Sequence, residues 1–232
     1  MKTIGLLGGM TWESSVIYYQ LLNRAIHERL GGVHSARLLM HSFDFAEIAR
    51  LQEADRWDEI AERLIAAGKG LVDAGADFLM ICCNTQHLVS AELEHCVRVP
   101  LLHIADPLGR AIATRQLSRI ALMGTRYTME MDGIVAGRLE EKFGIEIVVP
   151  RASDRAEIHR IIFEELARGR FLDSSRQSLR AAMARLVDDG AQGIILGCTE
   201  LPIIIRADDA SVPLFDTTAL HAMAAVEIAL GP

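Results

Sequence analysis

Apolar residues fall along this chain in two alternating patterns. Short, nearly unbroken apolar runs occupy 4–7, 37–40, 78–81, 120–123, 145–149 and 194–196. Runs of this length, bounded by Gly and polar residues, predict buried strands of a parallel sheet. Between them lie amphipathic stretches with apolar residues at helical spacing, of which 57–72 and 174–187 are clear examples. Strand and helix alternating in this way give the βαβ plan of an α/β fold, a mainly parallel sheet flanked by helices.

The pattern also repeats. Leu71-Val72-Asp73-Ala74-Gly75-Ala76, an apolar run and Cys83 are matched by Leu186-Val187-Asp188-Asp189-Gly190-Ala191, a similar run and Cys198. The two cysteines stand 115 positions apart (198 − 83), as do the two glycines (190 − 75). Ile4-Gly5-Leu6-Leu7-Gly8 is echoed by Ile120-Ala121-Leu122-Met123-Gly124, and Val99-Pro100-Leu101 by Val212-Pro213-Leu214, so each half is expected to hold a first strand ending in Gly, a middle strand ending in Cys and a Val-Pro-Leu strand. Hydrophobic strands are reused in many α/β chains, but three motifs in one order, one carrying cysteine, favour a duplicated half. The expected organisation is two pseudo-symmetric domains with the active site in the interdomain cleft. The first spans 1–97 plus a C-terminal helix at about 218–232, and the second spans 98–217.

Composition excludes several partners. The 232-residue chain carries a net charge of −7, so no basic face could dominate and nucleic acid is not an expected partner. The opening Met-Lys-Thr-Ile-Gly-Leu-Leu meets Trp12-Glu13 at once, without the cleavage site of a secretory signal. No stretch is long and uncharged enough to span a bilayer. The expectation is a cytoplasmic protein, free of membrane, whose four cysteines stay reduced.

Cys83 and Cys198 both fall where a predicted strand ends and a helical stretch begins, at 86–96 and 200–205 respectively. Functional groups gather at such points in open α/β sheets. Inverting a stereocentre needs a base on one face of the carbon and an acid on the other. Two thiols supply both if one is ionised, and a free thiol pKa of about 8.5 is readily lowered by a helix start or a cation. Asn84-Thr85 after Cys83 and Thr199-Glu200 after Cys198 add hydroxyl and backbone donors for a carboxylate, and Glu200 suits a substrate ammonium. By the repeat, the loops Gly8-Gly9-Met10 and Gly124-Thr125-Arg126-Tyr127-Thr128 belong at the same cleft, with Arg126 as carboxylate counter-charge. The catalytic candidates are therefore Cys83 and Cys198. The substrate-binding candidates are Met10, Asn84, Thr85, Thr125, Arg126, Tyr127, Thr128, Thr199 and Glu200.

Other motifs take plainer readings. Strand alternation turns Cys82 to the face opposite Cys83, into the core, and Cys96 sits near a helix end as a structural residue. Cys82, Cys83, His87 and Cys96 match no common zinc spacing, so no metal is expected. His87, one helical turn beyond Cys83, either tunes that thiol or serves capping and packing. Gly5-Leu6-Leu7-Gly8-Gly9 lacks the G-x-G-x-x-G spacing of a dinucleotide loop. The charged run 110–119 reads as a solvated helix and turn.

Gly8-Gly9-Met10, Cys83-Asn84-Thr85 and Gly197-Cys198-Thr199-Glu200, in this order and over almost the full length, resemble the aspartate/glutamate racemase family. The branch resembled is that of aspartate racemases and broad amino-acid racemases. The resemblance implies two α/β domains with the active site between them, usually in a homodimer, interconverting L- and D-amino acids. It implies neither pyridoxal phosphate nor metal, hence no cofactor. Some relatives carry Thr in place of the first cysteine and are biased in direction, so Cys83 implies turnover both ways. Aspartate-specific relatives grip the side-chain carboxylate with an Arg and a Lys. Here His41-Ser42-Phe43-Asp44-Phe45 and Phe163-Glu164-Glu165-Leu166-Ala167 offer no equivalents in register, although Arg50 and Arg168 lie nearby. The preferred side chain is left open. Rival chemistries of the same scaffold are those of hydantoin racemase, maleate isomerase and arylmalonate decarboxylase. A non-catalytic small-molecule binding protein is the remaining alternative, and two intact cysteines speak against it.

Overall fold

The repeated Leu-Val-Asp-X-Gly-Ala segment is a way out of a helix. In a computed structural model, which describes residues 1–131 and 134–231, both copies close with the same pair of backbone bonds. Gly75 N–H donates to the Val72 carbonyl and Ala76 N–H to that of Leu71, while Gly190 donates to Val187 and Ala191 to Leu186. This is the Schellman exit, and its glycines take φ of +101° and +91°, a backbone state that side chains resist. Each exit delivers the chain directly into a buried strand.

The first unit runs β1 (Ile4–Gly8), α1 (Trp12–Leu30), β2 (Leu38–Ser42), α2 (Phe45–Glu53), α3 (Trp57–Asp73), β3 (Phe78–Ile81), α4 (Ser90–Cys96) and β4 (Leu101–Leu102). The second runs α5 (Ala105–Thr114), β5 (Arg119–Gly124), α6 (Arg126–Glu130), α7 (Ala136–Phe143), β6 (Glu146–Val148), α8 (Ala152–Glu164), α9 (Asp173–Asp188), β7 (Ile194–Gly197), α10 (Leu201–Ile204) and β8 (Leu214–Asp216). Helix α11 (Thr217–Leu230) follows. Each unit holds a four-stranded parallel sheet, in the order β2-β1-β3-β4 and β6-β5-β7-β8. The two orders are the same once corresponding strands are matched, so one plan is used twice.

By contacts, one unit comprises Met1–Ile104 with the tail from His221 onward, and the other Ala105–Leu220. The boundary thus falls later than the 97/98 expected from sequence. Residues 98–104 stay with the first unit because Leu101 and Leu102 pair with Leu79 and Met80 and complete its sheet. The tail joins that unit from His221, within the helix expected from about 218. Pro232, the last residue of the predicted C-terminal helix, lies outside the described residues.

Period-two alternation sorts the first unit's strand residues into two cores. Leu7, Leu79 and Ile81 pack with Ile60, Leu64 and Leu71 of α3. Ile4, Leu6, Phe78, Met80 and Cys82 pack with Tyr18, Leu22 and Ile26 of α1 and with Ala222, Ala225 and Val226 of α11. In the second unit, Ala121, Met123, Ile194 and Leu196 pack with Ile158, Ile161 and Ile162 of α8 and Leu179, Met183 and Leu186 of α9. Each fully buried Leu or Ile contributes about 1.5–3 kcal/mol relative to exposure.

The helical stretch expected over 86–96 is divided into a 3-10 turn, Thr85–Val89, followed by α4. That expected over 200–205 is the single turn α10, with Pro202 in its first turn, where a missing N–H costs nothing. Among the described residues no helix is long and apolar enough to cross a membrane.

Candidate active site

Strands β1 and β3 lie side by side, and the Cys82 N–H donates to the Leu7 carbonyl at 2.9 Å. Beyond β1 the chain turns into α1, held by Gly9 N–H donating to Ser15 Oγ at 2.7 Å. The Met10 side chain is buried in the core cluster that also holds Leu7, Ile48 and Leu51, which leaves its backbone as the part a ligand could meet. Beyond β3, Cys82 is wholly buried. Desolvation, and secondarily the neighbouring Cys83, push its thiol well above the usual range, which keeps it protonated and inert. Cys83 is half-buried, and Asn84 and Thr85 are buried. The first unit therefore gathers Met10, Cys83, Asn84 and Thr85 at the carboxyl ends of β1 and β3. His87 stands below them, with Nδ1 2.8 Å from the Cys83 carbonyl.

The second unit builds the corresponding edge from β5 and β7, where Gly124 pairs with Gly197. Thr125 caps α6 by accepting from the Thr128 N–H at 3.2 Å, and the two hydroxyls are also 3.2 Å apart. Arg126 is exposed; its guanidinium donates to the Tyr127 hydroxyl at 2.8 Å and lies over that ring, 4.7 Å from the centroid. Its N–H approaches His159 Nδ1 at 3.3 Å. Burial, and then the Arg126 charge, hold His159 below the ordinary histidine value, with Glu130 opposing.

Cys198 is 7% exposed, and Thr199 and Glu200 are 3% exposed each. The Cys198 thiol donates to Glu200 Oε2 at 2.9 Å, and the Thr199 hydroxyl donates to the same oxygen at 2.9 Å. Glu200 is thus engaged by its own motif. The second unit brings together Thr125, Arg126, Tyr127, Thr128, Cys198, Thr199 and Glu200.

Two residues that sequence reasoning did not select stand out. Gln86, wholly buried three positions after Cys83, has neither amide oxygen nor nitrogen hydrogen-bonded, and Gln52 on α2 is buried with Oε1 unmet. A buried amide left unsatisfied costs about 1–3 kcal/mol, so each calls for a partner beyond the chain, an ordered water or a ligand. The available signal was a polar residue inside a stretch that otherwise packs. Arg50, whose Nε bonds the Ala46 carbonyl, and Arg168 are both exposed.

A parallel α/β plan used twice, each copy placing a cysteine and buried polar residues after the strand next to its first, defines a duplicated α/β protein with two thiol turns. The model of the Asp/Glu/hydantoin racemase family matches residues 7–225. The chain is similar to the crystal structure of a candidate Asp/Glu racemase from Yersinia pestis, with 46% identity, full coverage of both chains and a TM-score of 0.92. It is also similar to an aspartate racemase homologue from Pyrococcus horikoshii OT3, with 36% identity, full coverage of both and a TM-score of 0.85. The broad specificity amino-acid racemase RacX of Bacillus subtilis is 22% identical over 169 residues, which cover 73% of this chain and 72% of that protein. The matched glutamate racemases are covered over about half their length. The chain belongs to the Asp/Glu/hydantoin racemase family.

Proposed function

We propose that this chain is a cofactor-independent amino-acid racemase in which Cys83 and Cys198 act on opposite faces of one α-carbon. The thiolate of one removes the α-proton and becomes a thiol. The other thiol gives a proton to the opposite face and becomes the thiolate. Each turnover exchanges their roles, so both directions run.

The contact between the Cys198 thiol and Glu200 carries the reading. A carboxylate that accepts the thiol hydrogen favours the protonated form of the sulfur, which suits Cys198 to give a proton in the half of the cycle in which Cys83 takes one. Arg126, with Thr85 and the backbone after each cysteine, faces the substrate carboxylate and the enolate-like charge that develops on it. Exposed Arg50 and Arg168 do not favour a dedicated grip on a second carboxylate, so the reading extends to amino acids beyond aspartate. The working form is proposed to be a cytoplasmic homodimer, measurable by light scattering.

Proton NMR in deuterated water tests it, with L- and D-aspartate, L- and D-glutamate and neutral amino acids as substrates. Loss of the α-proton signal and growth of the opposite enantiomer, from either side, is expected. Exchange confined to a hydantoin, or carbon dioxide release from an arylmalonate, would replace it with the rival chemistry. No reaction on any substrate would leave a binding protein.

A further inference from the structure

The Cys83 carbonyl is held by an imidazole whose protonation state geometry dictates. His87 Nε2 lies 3.1 Å from the Ile104 backbone N–H, which can only donate, so that nitrogen presents a lone pair. Nδ1 lies 2.8 Å from the Cys83 carbonyl, which can only accept, so it carries the hydrogen. One form satisfies both partners, the neutral ring protonated at Nδ1. The ring is 1% exposed, with His103 and His221 at centroid distances of 4.5 and 6.0 Å. His221 continues the fastening, its Nε2 2.9 Å from the Leu102 carbonyl and its Nδ1 2.9 Å from the Tyr18 hydroxyl. The turn after β3 is thereby tied to the β4–α5 link, and β4 to α11 and α1.

We propose that His87 is a positioning residue for Cys83, a neutral clamp on the turn that carries the thiol, and that it moves no proton in the reaction. This rests on the reading of Cys83 as a catalytic thiol. The peptide between Cys83 and Asn84 is trans, so fixing the Cys83 carbonyl toward His87 aims the Asn84 N–H the opposite way. The clamp therefore sets both the stance of the thiol and the direction of that donor. Taking up a second proton would expel the Ile104 N–H, leaving a buried donor unmet.

The direct test is nitrogen-15 NMR of the histidines in the full chain, with His87 assigned by the signal lost in His87→Asn. A neutral ring with hydrogen on Nδ1, unchanged from about pH 6.5 to 8.5 and unaffected by Cys83→Ser, is expected. Two variants separate the ends of the clamp. His87→Asn keeps a donor within reach of the Cys83 carbonyl, and His87→Gln keeps an acceptor within reach of Ile104. Each is expected to lower kcat about ten- to hundredfold with KM within about twofold, as expected for a small misplacement of the thiol. Iodoacetamide should then modify Cys83 at an altered rate and Cys198 at an unaltered one. An imidazolium or an Nε2–H ring in the active enzyme overturns the clamp, as do folded variants with unchanged kcat. If both variants fail to fold, His87 is assigned in the unaltered chain through scalar coupling of its ring to its own backbone signals, and that spectrum still decides. The Nδ1–H ring in a chain that racemises nothing overturns the functional reading, and with it the clamp's catalytic purpose; the wrong ring form in an active enzyme overturns the clamp alone.

Discussion

Glu200 accepts hydrogen bonds from both Cys198 and Thr199 through a single oxygen. Removing its charge and keeping its shape, as in Glu200→Gln, should let the Cys198 thiolate form at lower pH and lower kcat about ten- to a hundredfold. Alkylation rate against pH, read on the Cys198 peptide, checks it; the Cys83 peptide serves as control. Gln86→Leu replaces an unsatisfied amide by an apolar group of similar volume. It should leave stability equal or higher while raising KM about tenfold, and urea unfolding together with initial rates separates the two effects. The cysteines were legible in sequence because each breaks from an apolar run into polar residues at a strand end. The Glu200 contact was not, because a sequence gives neighbours and not rotamers. The burial of the Met10 side chain was not legible either, because a glycine loop in sequence does not tell which way the next side chain turns.

Backbone crowding controls where the second thiol stands. A Cβ added at Gly197 would meet Leu122 Cδ1 at 2.7 Å and the Met123 carbonyl at 2.9 Å. Gly197→Ala should therefore force β7 off β5, costing about 1–3 kcal/mol of stability by chemical denaturation and displacing Cys198. An unchanged unfolding midpoint would contradict this packing. Six strands were readable from their apolar runs to within two residues. β4 and β8 were readable as Val-Pro-Leu strands, but each starts only at its leucine, where Leu101 pairs with Leu79 and Leu214 with Ile194. The 3-10 turn at Thr85–Val89 was also invisible to periodicity, being set by the geometry of the Cys83 turn and its His87 bond.

Charge is distributed unevenly over the whole molecule. Among the described residues the depressed carboxyls, Asp106, Asp154, Glu157, Glu165 and Asp209, all belong to the second unit. Hydrogen bonds from Arg185, Arg160 and Arg176 hold Asp154, Glu157 and Asp209 down, and Ser175 then Arg160 hold Glu165. At Asp106 burial pulls upward, but bonding to Arg138 prevails. Groups so depressed stabilise the fold above the unfolded carboxyl value of about 4, and that contribution is lost as pH falls through their folded values. Asp216 has the opposite sign, because burial raises it despite backbone bonds from Ala219 and Thr218; its cost is felt as pH rises. Five against one predicts that acid loosens the second unit first. Hydrogen exchange followed as pH is lowered stepwise below about 4 should show peptides from 105–220 losing protection before those from 1–104, and the reverse order would contradict it. Duplication was legible at this scale from the 115-residue spacing, whereas the boundary was not, since no linker composition marks it.

The most direct measurement follows α-proton exchange in deuterated water for each enantiomer of the best substrate, in Cys83→Ser and Cys198→Ser separately. Two-sided proton transfer predicts that both variants stop interconverting enantiomers, and that each still exchanges only one of them, the L form in one variant and the D form in the other. Normal racemisation by either variant would contradict it.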